Sequence, residues 1–112
     1  MSTTDIDTTE QQREALANRL VTDLIASFET LSVWLGLRLG VYAALDRHGP
    51  YTAAELATDA SIDARYAREW LEQQAVAGVL ATVEEARDAE HRRYALPAAH
   101  REVLLDEVSP PS

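Results

Sequence analysis

At 112 residues and a formal net charge of -9, with 19 acidic residues against ten basic ones that are all Arg, the chain has room for one small domain and is poorly suited to phosphate backbones or anionic membranes. The absence of Cys excludes disulfides, thiolate metal sites and a Cys nucleophile. One Phe, one Met and abundant Ala predict closely packed helices with a core of small side chains and Leu.

Residues 1–8 are rich in Thr and Asp and are expected to form a disordered tail. They lack the basic and apolar stretches of a signal peptide, so a cytoplasmic location is the default expectation. Thr9 offers an N-cap, and the domain is expected to span residues 9–106. Leu16, Leu20, Leu24 and Phe28 recur at four-residue spacing, Val21 and Ile25 widen the stripe, and Leu31 and Leu35 continue it; this is an amphipathic helix. Val33 to Leu45 is apolar nearly all round, which predicts burial on several sides. Its Gly36 and Gly40 suggest close helix packing rather than a membrane dimer, because this run is far short of the roughly 20 residues that span a bilayer. Arg38 interrupts it. It is expected to pair with Asp46 or Glu69, to edge a dimer seam, or to snorkel over its own stem.

His48, Gly49 and Pro50 end that helix, and Thr52 with Glu55 fits a capping box for a short helix from Ala53 to about Asp59. After the turn Ala60-Ser61-Ile62, Asp63 caps a helix to Ala77 with Gly78 as its stop; Ala64, Ala67, Leu71 and Ala75 give it a small-residue face, with Tyr66 and Trp70 beside it. Two helices so joined read as a helix-turn-helix. The period then becomes extended. Residues 79–83 and 92–96 are strand candidates, and the charged loop from Glu84 to Glu90 joins them. Pro97 opens a last short helix carrying His100, Val103, Leu104 and Leu105, and residues 107–112 have linker chemistry. The fold class is therefore mainly α: a winged helix-turn-helix with long N-terminal helices and a two-stranded β wing.

Four segments in register carry a family resemblance: Gly36 to Leu45, Gly49 to Ala57, Arg65 to Leu71, and Tyr94 to Pro97. Over about Leu20 to Pro111 the chain resembles the amino-terminal winged-helix region of bacterial class I S-adenosylmethionine-dependent methyltransferases, some of which are labelled transcriptional regulators. The resemblance implies an accessory domain that pairs two subunits, followed in cis by a Rossmann-like catalytic domain that holds S-adenosylmethionine. This sequence stops at Ser112, where a linker toward such a domain would begin. The enzyme, on this reading, is the full-length parent and not this chain.

The chemistry of the residues agrees with a non-catalytic role. A nucleotide cofactor needs a glycine-rich turn after a strand, and Gly36, Gly40, Gly49 and Gly78 contain no such pattern, so no cofactor is expected in this chain. His48, His91 and His100 lack metal-ligand spacing, and only His100, next to Arg101 and Glu102, stays open as an interface residue. Glu84, Glu85, Asp88 and Glu90 lack the ligand alternation of a calcium loop. No metal and no catalytic residue is assigned. The alternative function is a winged-helix regulator that binds DNA or a protein partner, with Arg65, Arg68 and Gln73 as base and phosphate candidates and Gln74 beside them. Against it, Asp63 to Ala77 and Glu84 to Arg93 each carry a net charge of -1, so nucleic acid is an unfavoured partner.

Trp34, Leu39, Tyr42, Leu56, Leu71 and Leu80 suffice for a core of this size, which leaves Leu16, Leu20, Leu24, Phe28, Leu31 and Leu35 in excess. Such a patch is seldom left bare on a monomer. A homodimer that pairs this stripe across a two-fold axis is the expected assembly, with no membrane.

Overall fold

The computed structural model describes residues 3–83 and 88–107. It divides into two compact units, Met1–Thr30 and Leu31–Ser112. Helix α1 runs over Thr3–Leu39 and contributes to both. The expected tail is thus helical in residues 3–8, a correction with a simple cause: no Gly or Pro interrupts Thr3 to Thr9, and extending a formed helix costs far less than nucleating one. Residues 1 and 2 of the tail lie outside the described residues, as do 108–112 of the expected linker and 84–87 of the charged loop.

In the first unit the described side chains of residues 7–30 are exposed, apart from the half-buried Glu29. Ser27 Oγ donates to the Asp23 carbonyl at 2.8 Å and Thr30 Oγ1 to that of Ala26 at 2.9 Å, so both hydroxyls are satisfied on the helix's own backbone. The pairs Arg13–Glu10 (3.7 Å) and Arg19–Asp23 (3.8 Å) are exposed and add little.

The second unit holds the core. The last turns of α1 end where Gly40 takes a left-handed conformation (φ 71°), and α2 follows over Val41–His48. The sequence placed one continuous apolar helix over this break, because periodicity alone cannot see a glycine used as a corner. Helix α2 buries Val41, Tyr42, Ala44 and Leu45. Helix α3 (Ala53–Ala60) begins with the expected capping box: Glu55 N donates to Thr52 Oγ1 at 3.2 Å and Thr52 N to Glu55 Oε1 at 3.0 Å. Ser61 turns the chain through a left-handed residue (φ 56°), and Asp63 then caps α4 (Ala64–Val76) by accepting from Tyr66 N at 3.0 Å. Helices α3 and α4 form the helix-turn-helix. Helix α4 buries Ala67, Trp70, Leu71 and Gln74.

Strand β1 (Ala81–Thr82) pairs antiparallel with β2 (Tyr94–Ala95), Ala81 opposite Ala95 and Thr82 opposite Tyr94. Both are shorter than their extended sequence predicts. The amides of Val79 and Leu80 donate to the Gln74 carbonyl and finish α4, so they are lost to the ladder. On its other side Tyr94 exchanges backbone bonds with Tyr51 at 3.0 and 2.8 Å, which ties the wing to the start of α3. Helix α5 (Ala98–Arg101) follows Pro97 and passes into a π-helical stretch, Glu102–Glu107, that buries Leu104.

Of the expected core, Tyr42, Leu56, Leu71 and Leu80 are buried, whereas Trp34 and Leu39 are 52% and 44% exposed. The buried position in that part of α1 is Gly36, and Trp34, two residues earlier, falls on the far side of the helix. A Cβ on Gly36 would lie 2.5 Å from Trp70 Cζ2 and 2.7 Å from Tyr42 Cε2. Close packing is therefore the role of Gly36, while Gly40 has open space and serves its backbone conformation. Gly36→Ala should destabilise the second unit by about 1–2 kcal/mol in urea unfolding, since contacts this short put overpacking in the upper part of its range (about 2–3 kcal/mol), against a helix preference for Ala of about 1 kcal/mol. A variant as stable as the wild type would contradict this packing.

Candidate interaction surface

The stripe of α1 is an extended run of exposed apolar side chains. In the first unit Leu16, Leu20, Val21, Leu24, Ile25 and Phe28 are each 52–60% exposed; in the second, Leu31 is 50% exposed and Leu35 is half-buried. A side chain on an isolated helix has neighbours only along its own surface, so each of these leaves about half of its area in water. No partner within the described residues covers them. The stretch Asp7–Leu39 is also long and apolar enough to cross a membrane by length and composition. That corrects the length argument made from residues 33–45 alone. Asp23 and Glu29 nevertheless sit among these apolar residues, and an acidic side chain at the middle of a bilayer costs about 2.5–3.5 kcal/mol.

The DNA candidates are engaged elsewhere. Arg65 Nε donates to Glu69 Oε1 and Arg68 Nε to Glu72 Oε1, both at 3.1 Å and both one turn along α4. Gln73 Oε1 accepts from Gln74 Nε2 at 2.8 Å. Gln74 itself is fully buried and accepts a hydrogen bond from the Tyr42 hydroxyl, so it reads no base. Sequence reasoning missed this buried polar pair, although Gln74 is spaced four residues from Trp70 and three from Leu71 on the face that packs inward. Burial pushes the Tyr42 phenol well above its ordinary range and keeps it a neutral donor. At the end of the same helix, Val76 is 90% exposed.

Arg38 pairs with neither expected carboxylate. Asp46 holds Arg101 at 2.9 Å, Glu69 holds Arg65, and the Arg38 guanidinium lies 5.7 Å from the centre of the exposed Trp34 ring.

Between the start of α3, the start of α4 and the segment leading into β2 lies a cavity of about 500 Å³, lined in part by Thr52, Glu55, Arg68, Glu90, His91 and Arg93. Arg93 Nη1 donates to Glu55 Oε1 at 2.9 Å and to the Pro50 carbonyl at 3.2 Å, while Asp88 Oδ1 holds His91 Nδ1 at 2.7 Å. Arg93 thus ties the wing to α3, while His91 pairs with Asp88 inside the wing. The Thr52 N–H, with the Thr52 hydroxyl and Arg93 adding to it, holds the Glu55 carboxyl below its ordinary value of 4.5. A depressed acid contributes stability above its unfolded value and loses it as pH falls through the folded one. Wild type should therefore melt higher than Glu55→Gln above pH 4.5 and lose that advantage below it. Thermal melts from about pH 6 to about pH 3 check this, and an advantage that persists at the acid end would refute it.

No group of three His, Asp or Glu among the described residues is placed to hold a metal. The residues do not fit a nucleotide cofactor either. Among the described residues the strands are antiparallel and two residues long, and none of the four glycines lies in a turn that leads from a strand into a helix.

A family model described as the Rv2258c-like winged HTH domain matches residues 27–105. No curated protein matches the chain. Among solved structures, "PigF with SAH" is 28% identical with a TM-score of 0.64, over 80% of this chain and 24% of the PigF chain. RV1404 from Mycobacterium tuberculosis shares the fold at 18% identity and a TM-score of 0.51, over 93% of this chain and 70% of its own. This chain spans about a quarter of the length of PigF.

Proposed function

The chain belongs to the Rv2258c-like winged HTH domain family, and from that premise we propose that it is the non-catalytic, dimer-forming accessory domain of an S-adenosylmethionine-dependent methyltransferase. The observation that carries the dimer is the bare apolar stripe of α1. A second copy supplies an identical stripe and closes the patch with one two-fold axis. The likeness to PigF with SAH supports the enzymatic context, because SAH is what remains of S-adenosylmethionine after its methyl group leaves. Methyl transfer then falls to a catalytic domain in cis. This chain's share is to bring two such domains together, and its own residues provide no step of the reaction.

Sedimentation equilibrium tests the assembly: a dimer is expected at tens of micromolar, roughly what an interface of standard size sustains. Calorimetry tests the division of labour. No specific S-adenosylmethionine site is expected on this chain, and a low-micromolar one would overturn the reading. The reading frame after Ser112 should continue into a strand and a glycine-rich turn. A stop codon there, with a monomeric chain, would leave the accessory role without an enzyme. The alternative, a DNA-binding regulator, is opposed by the ion pairs of Arg65 and Arg68, which neutralise α4 on its own surface. Duplex DNA should bind weakly and without sequence preference at physiological salt; a defined operator bound at nanomolar strength would favour the alternative.

A further inference from the structure

The stripe of α1 is bracketed by opposite charges. Before Leu16 come Glu10, Arg13 and Glu14, with a net charge of -1; after Leu35 comes Arg38, the one charged residue from Leu31 to Gly40. At about 100° per residue these four lie within about 70° of the stripe's centre line. Arg19, Asp23 and Glu29 lie more than about 100° from it, so the stretch between the two ends is apolar. Arg13 is held by Glu10 at 3.7 Å. Glu14 and Arg38 are both exposed, and among the described residues neither forms an ion pair; the Arg38 guanidinium stays at the end of the stripe over the Trp34 ring.

We propose that two α1 helices pair antiparallel, with Arg38 of one copy against Glu14 of the other, twice by symmetry. This rests on the dimer proposed above and adds the direction of the pair and the residues that set it.

A two-fold axis along the helices makes such a pair parallel, and one across them makes it antiparallel; either closes the apolar stripe. Charge separates the two. The parallel pair brings Arg38 beside Arg38 and Glu14 beside Glu14, and like charges facing each other across an interface oppose association. The antiparallel pair sets the basic end of each stripe against the acidic end of the other. The register agrees. Glu14 stands two residues before Leu16 and Arg38 three residues after Leu35, so when the two stripes overlap fully Arg38 comes within about 1.5 Å of level with Glu14.

Disulfide trapping reads the direction, because the chain has no Cys of its own. Leu20 and Leu31 are 54% and 50% exposed, so replacing either leaves the core intact. In the antiparallel pair Leu20 of one copy is level with Leu31 of the other. Each is then about 16 Å along the helix from its own symmetry mate, beyond the roughly 7 Å that a disulfide bridges. Under mild oxidation Leu20→Cys and Leu31→Cys should each remain uncrosslinked alone and form a mixed disulfide when combined. Charge reversal reads the residues. Arg38→Glu, or Glu14→Arg, turns two attractive pairs repulsive and should raise the dimer dissociation constant about tenfold at low salt. The double variant should return to within about threefold of the wild type. Crosslinking of either Cys variant with itself, no mixed disulfide, or reversals that change nothing or are not rescued by each other would overturn the antiparallel pair and leave the dimer standing. A wild-type chain that sediments as a monomer would remove the dimer and this pairing with it.

Discussion

Replacing Leu24 and Phe28 together by Asp is expected to convert the chain from dimer to monomer and to weaken self-association by about 10⁴-fold or more. Each side chain buried in a two-fold seam contributes roughly 1.5–3 kcal/mol, and symmetry counts both positions twice. Four side chains at the low end of that range give about 6 kcal/mol, or more than four powers of ten in the dissociation constant. The variant would also leave four carboxylates in a desolvated seam without partners, which adds to the loss. Because Leu24 and Phe28 are 57% and 60% exposed and belong to the first unit, the core of the second unit should be untouched. Its unfolding midpoint in urea is the control that separates a lost interface from a lost fold. A wild-type chain that sediments as a monomer, or a double variant that remains dimeric, would remove the basis of the assembly. The chain has no Cys of its own, so Leu24→Cys also gives a clean test of whether this position lies near its symmetry mate.

The second large effect concerns Trp70. Trp70→Ala should cost about 3–5 kcal/mol in urea unfolding, a large share of the stability available to a domain of this size. Trp70 is 95% buried, packs with its ring centre 5.3 Å from that of Tyr42 and tilted 57° to it, and lies against Gly36. Its Nε1 donates to the Ser32 carbonyl at 2.9 Å, so the same residue joins the last turns of α1 to α4. Trp70→Phe keeps most of the ring volume and loses that hydrogen bond, and about 1–3 kcal/mol is expected for it. If Trp70→Ala costs less than about 1 kcal/mol, the core is not organised around this residue.

The features legible in the sequence were those set by neighbours a few residues away. Thr52 with Glu55, and Asp63 with Tyr66 N, are caps formed within three residues, and each appears where the residue types placed it. Gly78 stops α4 as expected, in a left-handed conformation, and the wing follows it. Periodicity also showed that α1 carries more apolar surface than the core uses, because the spacing of Leu16, Leu20, Leu24 and Phe28 is a property of the helix alone.

Tertiary packing decided the rest. Which side of the last turns of α1 faces inward was fixed by the fit of Trp70 and Tyr42 against Gly36, and this sent Trp34 outward with Arg38 over its ring. Gln74, polar by type, became a core residue only because the Tyr42 hydroxyl stands opposite to satisfy it. Asp46 found Arg101, 55 residues away, in place of Arg38. His100 Nδ1 found the carbonyl of Val79, 21 residues distant. A cap or a stripe is specified by local geometry that the chain carries wherever it goes, whereas a partner in space exists only once the fold has brought distant segments together, and for that reason only the structure could assign these contacts.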